Sequence, residues 1–175
     1  RSFLAAAGVV TAAGVLTACG GSSSTAASTS TAASAAGSTA ASGDTIKVGV
    51  IGPLTGDVSV YGQAVVNGAT LYLKQVNEKG GVNGKQLEII TMDEQGDATQ
   101  AVTCFTKMCD QGITALVGDV TTTPTLAVVA ESQDYNMPMV TASATAEAVT
   151  YDAETDTVYE NVFRATFTDP FQGIK

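Results

Sequence analysis

Five short apolar runs punctuate the chain: Ile46–Gly52, Gln86–Met92, Ile113–Val117, Pro138–Thr141 and Asn161–Thr166. None keeps up the polar–apolar alternation of a sheet with one wet face. Helical spacing separates most of them. Tyr61–Lys79 places Val65, Gly68, Ala69, Tyr72 and Val76 three and four apart, and Gly80-Gly81 stops it. Asp97 with Gln100 makes a capping-box-like start for Ala98–Gln111, with Ala101, Cys104, Phe105 and Met108 as its apolar stripe. Buried strands alternating with helices predict an α/β fold, an open parallel sheet covered by helices on both faces. Ser143–Val149 reads as a turn and short helix, and Thr168-Asp169-Pro170 as a further helix start.

Right-handed crossovers bring every strand-to-helix turn to one sheet edge, where open α/β sheets bind ligands. The turn after the third run is Gly118-Asp119-Val120-Thr121-Thr122-Thr123-Pro124-Thr125. Thr122 or Thr123 can cap the helix that follows, with Pro124 at its first helical position. Free N–H groups at such a start attract anions. Taken alone, the turn reads as a capped helix. Its convergence with Tyr61 and with Ser143 to Thr145 at the same edge makes it half of a carboxylate site. Thr123 is then expected to cap and Thr122 to touch ligand.

Composition removes several functions. The chain has no His, which excludes Ser-His and Cys-His catalysis and His-ligated metal within it. The formal charge is −9 with only eight Lys and Arg, so nucleic acid is not an expected partner. Gly49-Val50-Ile51-Gly52-Pro53-Leu54-Thr55-Gly56 lacks dinucleotide spacing, and Pro53 removes an N–H that a phosphate would need. Cys104 and Cys109 lie five apart on one helix and point to different sides, so they read as small core residues rather than a disulfide. Asp93-Glu94-Gln95-Gly96-Asp97 does not follow calcium-loop spacing, and Asp97 reads as a cap. Asp152, Glu154, Asp156 and Glu160 read as a solvated loop. With no general base, activated nucleophile, metal or cofactor in view, binding without chemistry is expected.

The first 43 residues have another character. Phe3–Val15 is apolar, about 13 residues, too short to span a bilayer and suited to a signal-peptide core. Leu16-Thr17-Ala18-Cys19 resembles the lipobox of bacterial lipoproteins, which implies cleavage before Cys19 and acylation there. Several acyl chains anchor stably where one does not. Arg1-Ser2-Phe3-Leu4 resembles the second half of a twin-arginine export signal, and the export route stays open. Gly20–Gly43 holds only Gly, Ser, Thr and Ala, a flexible tether reaching roughly 27 Å. The expected organisation is 1–18 signal peptide, 19–43 anchor and linker, and 44–175 an incomplete ligand-binding lobe. The start at Arg1 and the stop just after a helix start read as a piece of a longer protein.

Ile46-Lys47-Val48-Gly49-Val50-Ile51-Gly52-Pro53-Leu54-Thr55-Gly56 with Tyr61-Gly62 resembles the start of the branched-chain amino-acid-binding proteins of ABC transporters. The resemblance continues in order through Asn77–Lys85, Val117–Thr122, Met137–Thr145 and Val162–Ala165, to Asp169 and Gln172-Gly173. It implies the first lobe of a type I periplasmic-binding fold, with two lobes closing on a ligand. By the same resemblance, Thr122 (where Ser is commoner) holds the ligand carboxylate, and Ser143 offers its backbone. Thr145 is the second hydroxyl partner, Ala144 lies between them, and Tyr61 stands beside the ligand. The partner of the ligand's ammonium would lie in the second lobe. The implied function is a lipid-anchored, extracytoplasmic receptor that hands an aliphatic amino acid to ABC permease subunits. The alternatives are a sensory module of the same fold, or a receptor for amides, urea or aromatic acids.

Overall fold

The computed structural model describes residues 45–174, so the expected signal peptide, the acylated Cys19 and the linker lie outside the described residues. The elements run β1 (Ile46–Gly52), α1 (Ser59–Glu78), β2 (Leu87–Asp93), α2 (Ala98–Asp110), β3 (Ala115–Val117), α3 (Thr122–Tyr135) and β4 (Met139–Thr141). A 3-10 turn (Glu147–Val149), β5 (Tyr151–Asp152), β6 (Thr157–Val158), β7 (Val162–Arg164) and α4 (Asp169–Gly173) complete them. The sheet order is β2-β1-β3-β4-β7, and every pairing in it is parallel. This is the expected open sheet. The chain steps from β1 to β2 on one side, then returns to build β3 and β4 on the other. That reversal places α1 on one face and α2 with α3 on the opposite one, given right-handed crossovers. It also opens a crevice between β1 and β3 at their carboxyl ends.

Side-chain alternation along β1 assigns its residues to the two layers. Ile51 joins Leu116 of β3, Met139 of β4 and Val162 of β7 in one cluster with Phe105 and Met108 of α2 and Val128 and Val129 of α3. Phe105 is fully buried, and burial of such a side chain stabilises by about 1.5–3 kcal/mol relative to exposure. Its ring meets Tyr135 of α3 edge-on at 5.5 Å. The expected α2 stripe is the observed one, and the Asp97 carboxylate caps that helix by accepting from the Gln100 N–H at 2.8 Å. Cys104 and Cys109 are both free thiols, Cys104 in the core.

Two expectations need correcting. Tyr72 was expected on the buried stripe of α1 and is 66 % exposed, whereas Gly62 and Val66 are the buried positions. The cause is a close approach: a Cβ on Gly62 would overlap the Pro53 carbonyl group. Helix and loop touch there, which turns Val66 inward and leaves Tyr72 about 120° round the helix. The acidic stretch read as a solvated loop contains the β5–β6 ribbon, paired Tyr151 with Val158 and Asp152 with Thr157. Its charges are used locally. Asp152 accepts from the Glu154 N–H (2.9 Å) and the Thr155 hydroxyl (2.7 Å), and Asp156 accepts from the Tyr151 hydroxyl (2.7 Å).

Gly62→Ala separates two opposing effects. Alanine gains about 1 kcal/mol of helix propensity, while overpacking against Pro53 costs about 1–3 kcal/mol. Net destabilisation is expected in urea unfolding, and a more stable variant would show that α1 does not meet Pro53 at this residue.

Candidate functional site

The crevice is lined by Tyr61 of α1, Val120 and Thr121 of the turn after β3, Thr122 at the start of α3, and Ser143 after β4. It encloses about 330 Å³. Three separate turns meet there because their strands are neighbours. Gly118 brings the β3 turn onto β1: its φ is +130°, and a Cβ there would overlap the Ile51 carbonyl oxygen. Only glycine combines that backbone conformation with that approach.

Hydroxyl bonds then fix the wall. The Thr141 hydroxyl donates to the Asp119 carbonyl at 2.5 Å and accepts from the Ala144 N–H at 3.3 Å. The Ser143 hydroxyl donates to the Val120 carbonyl at 2.6 Å. Its oxygen keeps lone pairs for a ligand donor. The Ser143 N–H makes no backbone hydrogen bond among the described residues. Tyr61 is 63 % exposed and offers an aromatic face at the mouth.

The start of α3 differs from the expectation. Thr121 is the N-cap residue, with extended backbone (φ −99°, ψ 153°) and no side-chain cap bond. The helix therefore begins at Thr122, two residues earlier than a cap at Thr123 would allow. Pro124 falls third in the helix rather than first, where its missing N–H still costs nothing. Thr125 closes the turn from within, its N–H (3.1 Å) and hydroxyl (2.7 Å) both donating to the Thr121 carbonyl. The N–H groups of Thr122 and Thr123 make no hydrogen bond among the described residues. With no acidic residue in the first turn of α3, this end carries the uncompensated positive half of the helix dipole.

Of the residues singled out in sequence, Tyr61, Thr122 and Ser143 come together. Ala144 and Thr145 do not line the crevice. Ala144 is 1 % exposed and belongs to the core cluster, and its carbonyl accepts from Arg164 at 3.4 Å. Thr145 is half-buried, and its carbonyl accepts from the Asp169 N–H at 3.1 Å. The chain turns inward after Ser143, because the Ala144 amide is drawn to Thr141. Val120 and Thr121 were missed. Val120 looks like one more strand residue, and Thr121 is indistinguishable from its two neighbours until the helix boundary is known. Among the described residues no group of three or more His, Cys, Asp or Glu could hold a metal. No described helix is long and apolar enough to cross a membrane.

Thr141→Val keeps shape and burial but removes the hydroxyl that joins β4 to the β3 turn. It leaves the Asp119 carbonyl and the Ala144 N–H unpaired, and a loss of about 1–3 kcal/mol is expected in chemical denaturation. A loss below about 0.5 kcal/mol would show that the turn does not depend on this bond.

Hydroxyls, free helix-start amides and an aromatic ring thus gather at a topological switch point, and no acid or base lines the crevice. Residues 45–173 match the periplasmic binding protein family, and the chain belongs to it. A leucine-, isoleucine-, valine-, threonine- and alanine-binding protein of Pseudomonas aeruginosa is 37 % identical over 128 residues, 73 % of this chain and 33 % of that protein. The branched-chain amino-acid transporter substrate-binding protein LivJ of Streptococcus pneumoniae, solved with isoleucine, superposes with a TM-score of 0.65. It is 31 % identical, with 72 % of this chain and 35 % of that one covered. The leucine-binding protein LivK of Thermotoga maritima gives a TM-score of 0.63 at 30 % identity, covering 73 % of this chain and 34 % of that one. The chain thus spans about a third of the length of the relatives it matches.

Proposed function

We propose that this chain is the first ligand-binding lobe of a substrate-binding lipoprotein. The ligand is a branched-chain or other aliphatic amino acid, delivered to the permease of an ABC importer. The observation that carries the reading is the α3 start opening on the crevice. A carboxylate seated there meets the Thr122 and Thr123 N–H groups, the Thr122 hydroxyl and the dipole end of α3, with Ser143 and Tyr61 beside it. The amino acids for which the relatives are named, leucine, isoleucine, valine, threonine and alanine, all carry such a carboxylate. The residues lining the crevice carry no negative side chain for an ammonium, which is in keeping with a partner for that group on an opposing lobe. Ligand contacts to both lobes would then favour the closed state. Cys19 would carry the lipid anchor that holds the receptor outside the cytoplasmic membrane, with the 20–43 segment as tether.

Titration calorimetry of the two-lobed protein with L-leucine, L-isoleucine and L-valine is expected to give saturable binding. Thr122→Ala should weaken it by about 1–3 kcal/mol through a lost charge-assisted hydrogen bond. Unchanged affinity would remove Thr122 from the site, and absence of heat across a wider amino-acid panel would remove the ligand class. The lobe by itself, with one wall only, should give no saturable heat with the same amino acids.

A further inference from the structure

Behind the crevice wall sit two carboxyls that the binding reading does not use. Glu94 follows β2, Asp119 lies two residues past β3, and both are 0 % exposed. Asp119 Oδ1 accepts from the Val120 N–H. Asp119 Oδ2 and both Glu94 carboxylate oxygens have no hydrogen-bond partner among the described residues. The Gly96 and Asp97 amides ease the Glu94 charge without completing a hydrogen bond of acceptable geometry. Among the described residues no Lys or Arg acts on the pair. The groups that do are Asp93, whose charge acts on Glu94, and the Cys104 thiol of α2, itself pushed up by burial; α2 also brings Lys107, the positive charge acting on that thiol. From β4 the group in contact with Asp119 is the neutral Thr141 hydroxyl.

Two buried, ionised carboxylates with a donor for only one of their four oxygens would cost several kcal/mol. One proton between them supplies the missing donor and removes one charge. We propose that Glu94 and Asp119 share a single proton at mildly acidic pH and act as a positioning pair for the Val120–Thr122 wall, making the lobe's stability and its hold on a carboxylate depend on that proton. The second clause rests on the function proposed above; the first does not. Burial, then the Glu94 charge, push Asp119 from 3.8 up to about 7, and burial also raises Glu94. The pair titrates as a unit.

The sign follows from proton binding. Between about pH 4 and about pH 7 the folded chain holds a proton that the unfolded chain has released. The stability the pair contributes is therefore complete below the unfolded carboxyl range and is lost as pH rises to about 7. Release of the proton also puts a second negative charge behind the wall that a ligand carboxylate would touch, weakening its binding at higher pH.

Asp119→Asn tests this directly. The amide keeps an oxygen for the Val120 N–H and offers Glu94 a donor that does not titrate. In the full chain, infrared difference spectra at about pH 6 should show a protonated carboxyl that Asp119→Asn abolishes and Glu94→Gln also abolishes. The wild-type melting temperature should fall as pH rises from about 4 to about 7, and this dependence should flatten in Asp119→Asn, which becomes the more stable chain near pH 8. A wild type with no protonated carboxyl at about pH 6, or an Asp119→Asn chain equally destabilised at every pH, would overturn the shared proton. In the two-lobed protein, L-leucine should bind roughly five- to tenfold more weakly at about pH 8 than at about pH 6, with the difference lost in Asp119→Asn. Equal wild-type affinities would overturn the link to the ligand. No binding of leucine at either pH would sink the ligand class instead, while the spectra and melts still decide the pair.

Discussion

The short hydrogen bond from the Thr141 hydroxyl to the Asp119 carbonyl holds the rest of the site in place. Parallel strands pair only along their length, and β3 and β4 pair through just two residues each. Beyond them the two turns would separate as independent loops. The Thr141 hydroxyl and, one turn residue further, the Ser143 hydroxyl continue the pairing with side chains where the backbone ladder has stopped. The β3 turn is thereby fixed from β4, while Gly118 fixes it from β1 by allowing the Ile51 carbonyl to approach. The start of α3 inherits its position from both.

That order of dependence explains what sequence could show. Strand identity was legible because β1, β3 and β4 carry apolar runs too short for helices and too unbroken for a wet sheet face. Parallel order followed from the intervening helices. The meeting of Tyr61, Thr122 and Ser143 followed from crossover handedness, without any side-chain information. Boundaries were less legible. Thr121, Thr122 and Thr123 have equal capping propensity, and the choice among them is made by Gly118 and Thr125, which act through backbone geometry and through the Thr121 carbonyl. Ala144 and Thr145 fall outside the crevice lining for a related reason. One side-chain bond from Thr141 turns the chain inward at Ala144, and periodicity carries no trace of such a bond.

α1 makes the same point by packing. Its apolar residues support more than one face at spacings of three and four, so Tyr72 was a reasonable inward residue until Gly62 met Pro53. A single missing side chain set the rotation of a helix of 20 residues. The rotation has a functional side, because Tyr61 sits beside Gly62. The contact that buries Gly62 also delivers Tyr61 to the crevice mouth.

Glu94 and Asp119 bring the opposing electrostatics of the wall into one place. The front of the wall is positive by helix-start amides, and its back holds acids that cannot both ionise cheaply. A fully ionised pair would cancel part of the attraction that the helix start offers to an anion. A fully protonated pair would leave it intact at neutral pH only if both acids were shifted far upward. One shared proton is the intermediate case, and it is the state that provides a donor for oxygens otherwise without one. The wall can thus keep its acids buried and still attract a carboxylate, provided the proton stays.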